Sequence, residues 1–281
     1  QAERLAEADR LWQQAERLSG QEKLEKQLEA AEEYLHLAPG ATGIAKTKIE
    51  KRLGEVEEGF ITSLADVREL LKQAWCVISF EPKRPIWPPN RRLLPDNNVS
   101  IRPGRNGMCA FFDAKGRIEI ADSASLHGDK GLTVSALIFP YKFSFENVIL
   151  SKDDNKHRGW IFRTRGDGRI EFVVGNSERW FFLQSEKSLI TEKWVHVSVT
   201  TDGGKAQVYI DGSKVGEASG LLASNSLAVQ IGHRALGGLP AHPFEGLIDE
   251  VAVWTRLLTD EEIKQLYETI SKNVPLTSLL R

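Results

Sequence analysis

The feature that most constrains this chain lies between residues 108 and 256, where apolar and polar residues alternate with a period of two in ten short segments. In order they read GRIEI, LTVSALIF, NVILS, GWIFRTR, GRIEFVV, RWFFLQS, WVHVSVTT, KAQVYI, LAVQIG and LIDEVAVW. Alternation of this kind puts one set of side chains on each face of a strand. Gly166-Asp167-Gly168, Asp202-Gly203-Gly204 and Asp211-Gly212 supply residues that tolerate the positive φ of tight hairpins. No helical pattern of ten residues interrupts the series, so the crossovers of a parallel sheet are missing. The segments therefore predict an antiparallel sandwich or barrel. Thr259-Asp260-Glu261-Glu262-Ile263 has the form of an N-cap with an acidic first turn, which predicts a short closing helix over residues 259–270.

Residues 1–74 have a different period. Leu5, Ala8, Leu11, Trp12, Ala15 and Leu18 form one apolar stripe and Leu24, Leu28, Ala31 and Leu35 a second. Gly20 and Pro39-Gly40 are read as stops. Ala45, Ile49, Leu53 and Val56 start a third helix, and Ser63 three residues before Asp66 is read as the cap of a fourth. The stretch from Leu28 to Leu53 resembles a single tetratricopeptide-type helix pair, where a solenoid needs about three. Each stripe exposes Leu and Trp, so the helices are expected to pack rather than to float. Between residues 82 and 107 stand six of the eleven prolines, six basic residues and one acid, Asp96. Proline fixes φ and donates no hydrogen bond, so this stretch is read as a Pro-rich basic loop. Trp87 within it is either a ligand contact or a packed anchor.

The charge balance is nearly even, with 37 Lys and Arg against 39 Asp and Glu. That leaves no basic footprint for nucleic acid. No apolar run reaches the length of a transmembrane segment. The chain starts at Gln1 rather than Met, so it is read as a segment fused to further domains of a longer protein.

Five motifs occur in a fixed order: Leu132-Thr133-Val134-Ser135-Ala136, Val148-Ile149-Leu150-Ser151-Lys152, Trp194-Val195-His196-Val197-Ser198-Val199-Thr200, Val208-Tyr209-Ile210-Asp211-Gly212, and Gly246-Leu247-Ile248-Asp249-Glu250-Val251, the last followed by Arg256-Leu257-Leu258-Thr259. As a set they resemble the laminin G-like (LamG-like) jelly roll of the concanavalin A-like lectin and glucanase superfamily. Trp75 to Glu81 resembles the family's first strand and Gly107 to Asp113 its second. The resemblance implies a mainly β, antiparallel two-sheet jelly-roll sandwich over residues 75–281, an extracytoplasmic setting, and a carbohydrate or protein ligand. It also implies one structural calcium ion, with Asp249 and Asp113 at the matching acidic positions and Asp153-Asp154-Asn155 as a second candidate loop. Cys76 and Cys109 fall on the family's first two strands and are read as buried thiols, a disulfide between them being the alternative.

Tests for catalytic chemistry find none of its patterns. Glucanases of similar fold carry acids at alternate positions of one strand, whereas Glu119 has no acid two residues away and Asp249 and Glu250 are adjacent, hence expected on opposite faces. There is no Gly-x-Ser-x-Gly elbow and no phosphate loop, and the histidines at 36, 127, 157, 196, 233 and 242 lack metal-ligand spacing. Ligand-binding candidates are His196, on the polar face of its strand, the same-face pair Arg163 and Arg165, and Trp87. Trp160, Trp180 and Trp194 are either a sugar-stacking platform or packing. The expected function is a non-catalytic recognition module. The alternative is a spacer or interaction domain without a small-molecule ligand.

Overall fold

In the computed structural model, which describes residues 2–121, 126, 131–220, 222–236 and 239–280, the alternating segments close one face of each strand between two antiparallel sheets. His127 lies outside the described residues. The chain divides into two compact units, residues 1–66 and 67–281.

The first unit is helical. It comprises α1 (Ala2–Ala15), α2 (Gly20–Leu37) and most of α3 (Gly43–Lys72). Ala8, Trp12, Ala30, Ala31, Tyr34, Ile49 and Val56 form its core; α1 and α3 bury residues of the expected stripes, whereas in α2 Ala30, Tyr34 and Leu37 join Ala31 in the core and Leu35 of the expected stripe is exposed. One acid joins all three helices. Asp9 accepts hydrogen bonds from the Tyr34 hydroxyl at 2.7 Å, from Lys48 Nζ at 2.6 Å and from Arg52, whose guanidinium also lies 5.0 Å from the Trp12 ring centroid. Two expectations change here. Gly20 begins a helix instead of ending one, and α3 runs unbroken through Ser63, because no proline interrupts it there.

The second unit is the sandwich. Its first sheet has the order β14 (Ser213–Ser219), β13 (Lys205–Ile210), β12 (Val195–Thr201), β7 (Leu132–Pro140), β18 (Glu245–Trp254), β1 (Cys76–Glu81), β2 (Arg84–Trp87). β5 (Met108–Asp113) joins the side of β18 and carries β4 (Val99–Pro103) at its own far edge. The second sheet has the order β11 (Trp180–Ser188), β10 (Arg169–Asn176), β9 (Arg158–Arg165), β8 (Glu146–Asp153), β15 (Val229–Ile231), β6 (Ile118–Ile120), β3 (Leu93–Pro95), and β16 (Arg234–Leu236) pairs with β17 (Leu239–Ala241) as a separate ribbon. Between them lies a continuous apolar core that includes Phe112, Val134, Ile138, Trp160, Phe162, Phe172, Val197, Val208 and Val251. The outer face of the first sheet is covered in part by α4 (Asp260–Ser271), by the 3-10 turn Leu276–Leu280 and by the last turn of α3, where the Trp254 indole donates to the Leu70 carbonyl at 3.0 Å. α4 starts with the capping box that its sequence predicts: Glu262 N–H donates to Thr259 Oγ1 and Thr259 N–H donates to the Glu262 carboxylate. No helix among the described residues is long and apolar enough to cross a membrane.

The proline-rich stretch 82–107 is not a loop. It contributes β2, β3 and β4, with Pro85, Pro95 and Pro103 inside them, and all three strands lie at sheet edges, where a missing N–H leaves no ladder partner unsatisfied. Cys76 and Cys109 are free and buried, and burial pushes each thiol up to about 12.

Gly232 shows how tightly the core closes. Its φ is +85°, and a Cβ there would stand 2.3 Å from the Phe112 ring, so Gly232→Ala is expected to cost about 2–4 kcal/mol through left-handed strain and overpacking. A Cβ at Gly204 would meet nothing closer than Asp202 Oδ1 at 3.5 Å, so Gly204→Ala is the control, expected within about 0.5 kcal/mol of the native protein in urea unfolding.

Candidate functional site

Arg163 and Arg165 share one face of β9, as alternation requires, and that face is the outer one of the second sheet. The adjoining hairpin turns at Gly166-Asp167-Gly168, where Gly168 has φ +79°. Its register sets Arg163 opposite Glu171, and the next strand sets Glu171 opposite Gln184. A polar row thus crosses three strands. Glu171, with no solvent exposure, is its centre: Oε2 accepts from Arg163 Nε at 2.7 Å and from Arg163 Nη2, while Oε1 accepts from Arg165 Nη1 at 3.0 Å and Gln184 Nε2 at 2.7 Å. Arg163 Nη1 reaches Glu146 at 2.5 Å. Ionised groups this deep are tolerated only when paired. Arg163 is buried, whereas Arg165 and Gln184 reach the surface.

One register step away the chemistry becomes apolar. Ile161, Val173 and Phe182 align across β9, β10 and β11, and Phe182 is 55% exposed. One step further Gly159, Gly175 and Trp180 align. A Cβ on Gly175 would stand 2.8 Å from the Trp180 ring, so the missing side chain lets the half-buried indole lie across the strand. Val148, Ile161 and Val173 support it from below and His157 meets it edge-on at 5.5 Å. The surface so formed sets two aromatic side chains beside a row of hydrogen-bonding groups whose formal charges cancel.

The other expected site residues lie elsewhere. His196 faces away from the sandwich core, but that face is not an open groove. Its Nε2 meets Ser135 Oγ at 2.7 Å, its ring stacks on Tyr267 of α4 at 5.9 Å, and burial pushes its pKa down to about 3. It is a neutral structural residue. Trp87 packs against the cluster formed by Val77, Trp254 and Leu276, among others. Trp160 belongs to the main core, and Trp194 packs on Phe139 at 5.4 Å.

The acids expected to hold calcium are not brought together. Asp113 faces Glu245 in the register, four residues along β18 from Asp249, roughly 13 Å at strand rise. Asp113 is exposed and accepts from the Lys115 N–H; Asp249 is fully buried. Asp153, from the second candidate loop, is held by Arg234 through both its oxygens. Among the described residues no group of three or more acids, histidines or cysteines could hold a metal ion. These residues do not fit the ion.

Asp249 is instead paired with its neighbour. The register of β18 slips between Asp249 and Ala252, and Glu250 adopts φ +48°. Ile248 and Val251 both face the core, so this bulge defeats the alternation that would have put two adjacent acids on opposite faces. Glu250 Oε2 accepts from Ser79 Oγ at 2.8 Å and from the Leu276 N–H at 2.9 Å, and Asp249 Oδ1 accepts from the Glu250 N–H. Asp249 Oδ2 and Glu250 Oε1 are buried without a hydrogen-bond partner among the described residues. Burial first, and then nearby carboxylate charge, from Glu250 and Glu81 at Asp249 and from Glu81 at Glu250, hold both carboxyls well above the usual carboxylate range.

Comparison with known proteins agrees with this architecture. The laminin G model of the concanavalin A-like lectin/glucanases superfamily matches residues 112–264, more than half of the chain, and the chain belongs to that superfamily. Pappalysin-1 of Mus musculus is 26% identical over 148 residues, covering 45% of this chain and 8% of that protein. The chain therefore spans a small fraction of its curated relative. Domain 4 of AbnA, a GH43 extracellular arabinanase from Geobacillus stearothermophilus solved with arabinotriose, is similar at TM-score 0.58 and 18% identity, covering 69% of this chain and 98% of that one. The binding domain of Paraclostridial Mosquitocidal Protein 1 is similar at TM-score 0.59 and 16% identity (73% of this chain, 53% of that one), and the botulinum neurotoxin serotype G binding domain at 0.56 and 16% (70% and 51%).

The acid pair carries a pH prediction. A carboxyl whose pKa is raised on folding keeps a proton that the unfolded chain releases above about pH 4, so it lowers stability as pH rises, by at most about 1.4 kcal/mol per pH unit. His196 and His233, whose pKa values burial lowers, act in the opposite direction but are common to native and variant. Asp249→Asn should therefore match the native melting temperature near pH 4 and exceed it progressively from pH 5 to 8. A difference that stays flat would show that folding does not raise the Asp249 pKa.

Proposed function

We propose that this chain is a non-catalytic recognition module that binds carbohydrate on the outer face of its second sheet, as one part of a larger extracytoplasmic protein. The observation that carries the reading is the Trp180 indole lying across Gly175 beside the exposed Phe182 ring, next to the Arg165 and Gln184 hydrogen-bonding groups. A pyranose or furanose ring presents C–H bonds on one face and hydroxyls at its rim. Aromatic rings take the first and fixed donors and acceptors the second. The arabinotriose in the complex of AbnA domain 4 supports a saccharide ligand. The 8% share of pappalysin-1 supports a module within a longer chain.

The same face argues against hydrolysis. Glycosidase chemistry needs one carboxyl free to protonate the leaving oxygen and a second free to attack or to activate water. Glu171 and Glu146 are both engaged by Arg163, and Glu119 receives Gln230 Nε2 at 3.0 Å.

A glycan array followed by calorimetry with the full chain tests the reading. Trp180→Ala and Phe182→Ala should each weaken the best saccharide by about 2 kcal/mol, roughly 30-fold, the cost of removing an aromatic anchor. His196→Gln should leave affinity unchanged. Absence of binding across the array, or binding indifferent to Trp180 and Phe182, would leave the spacer role in its place.

A further inference from the structure

Two guanidinium groups at alternate positions of one strand make a ready receptor for a carboxylate or sulfate, because each presents a planar fork of donors. On this face they are already occupied. Glu171 spends both oxygens on Arg163, Arg165 and Gln184, and Glu146 takes the remaining terminal nitrogen of Arg163. The two arginines and two glutamates sum to zero formal charge. Beyond them, Asp167 stands 4.0 Å from Arg165 and 3.8 Å from Arg169 at the hairpin tip, and His242 lies 3.3 Å from Glu146. None of these leaves an unopposed cation in the row. Glu171 has no exposure, so an incoming anion cannot displace it into water, and an anion beside it meets like charge in a poorly solvated place.

We infer that Glu171 sets the class of ligand this face accepts: by drawing both arginines into one neutral cluster it restricts the face to uncharged saccharides and turns away anionic ones such as uronates and sulfated sugars. The inference rests on the carbohydrate reading for its ligand, while its charge argument stands on the row alone. Glu171 acts as a specificity residue through Arg165, the member of the arginine pair whose guanidinium reaches solvent at 38% side-chain exposure. Arg163 stays locked between its two acids.

The test uses the full chain with two probes, neutral arabinotriose and trigalacturonate. The native protein should favour the neutral probe. Glu171→Gln keeps the shape and one acceptor but removes the charge, and should shift the affinity ratio toward trigalacturonate at least tenfold. That gain should vanish at 500 mM salt and in the double variant Glu171→Gln/Arg165→Gln. A folded Glu171→Gln protein with an unchanged ratio overturns the inference, even where arabinotriose binding stands. A native protein that binds neither probe leaves the carbohydrate reading to the glycan array, and the inference is then judged on whether Glu171→Gln gains trigalacturonate binding. Should Glu171→Gln fail to fold, the native protein decides: tenfold preference for trigalacturonate over arabinotriose overturns the inference, and preference for the neutral probe that is insensitive to salt upholds it.

Discussion

The first sheet depends on the hydrogen-bond ladder of β18. That strand pairs with β7 along most of its length, while its other side is shared, β5 taking residues 245–248 and β1 taking residues 251–253. The change of partner coincides with the bulge at Asp249 and Glu250. An extra residue at this point lets the strand twist between two neighbours, and it turns two carboxyls toward one side. Leu276 and Ser79 then find their acceptor in Glu250, so the turn that follows α4 is seated by the same irregularity that divides the strand. One local departure from the pleat thereby organises three separate segments of chain.

Charge is handled differently in three places, one part-buried and two fully buried. In the helical unit Asp9 gathers three donors from two other helices. On the second sheet Glu171 gathers four donors from three side chains. At the bulge no ion pair reaches Asp249 or Glu250 among the described residues, and burial instead raises the pKa of both carboxyls, which favours the neutral form. All three satisfy the requirement that a desolvated charge be matched or removed. Among the described residues only the cluster on the second sheet adjoins an exposed aromatic side chain, Phe182, which is why the proposed ligand surface is placed there and not at the other two.

Much of the fold was legible because burial on one face writes a period of two into strands such as β9, β10, β12 and β18. The capping box of α4 was equally plain. β14 was not, since residues 213–219 are polar, sit at an edge and bury little more than Val215. The edge strands β2 to β4 were hidden by their prolines, which exclude a central strand but not an outer one. In the site, alternation rightly placed Arg163 and Arg165 together. Glu171 escaped notice, although it lies as many residues beyond Asp167 as Arg163 lies before it, which in a hairpin makes them cross-strand partners. His196 could not be judged from its strand, because the cover over it comes from a helix some seventy residues later in the chain. Asp249 and Glu250 were misplaced by the very rule that served elsewhere, since nothing in their sequence announces a bulge.

The prolines in β2, β3 and β4 have a consequence for the proposed setting of this module within a longer protein. An open sheet edge is a template for any extended chain nearby, and a long protein that carries several β domains keeps many such edges at high local concentration. Here the outermost strands at one end of both sheets each lack an amide, so a foreign strand arriving there finds its ladder interrupted. At the opposite end β11 and β14 lie against each other, close enough that a Cβ on Gly216 would stand 2.6 Å from the Gln184 carbonyl. Both features oppose strand exchange, so a longer chain of the kind proposed could carry this sandwich beside other β domains without its strands changing partners.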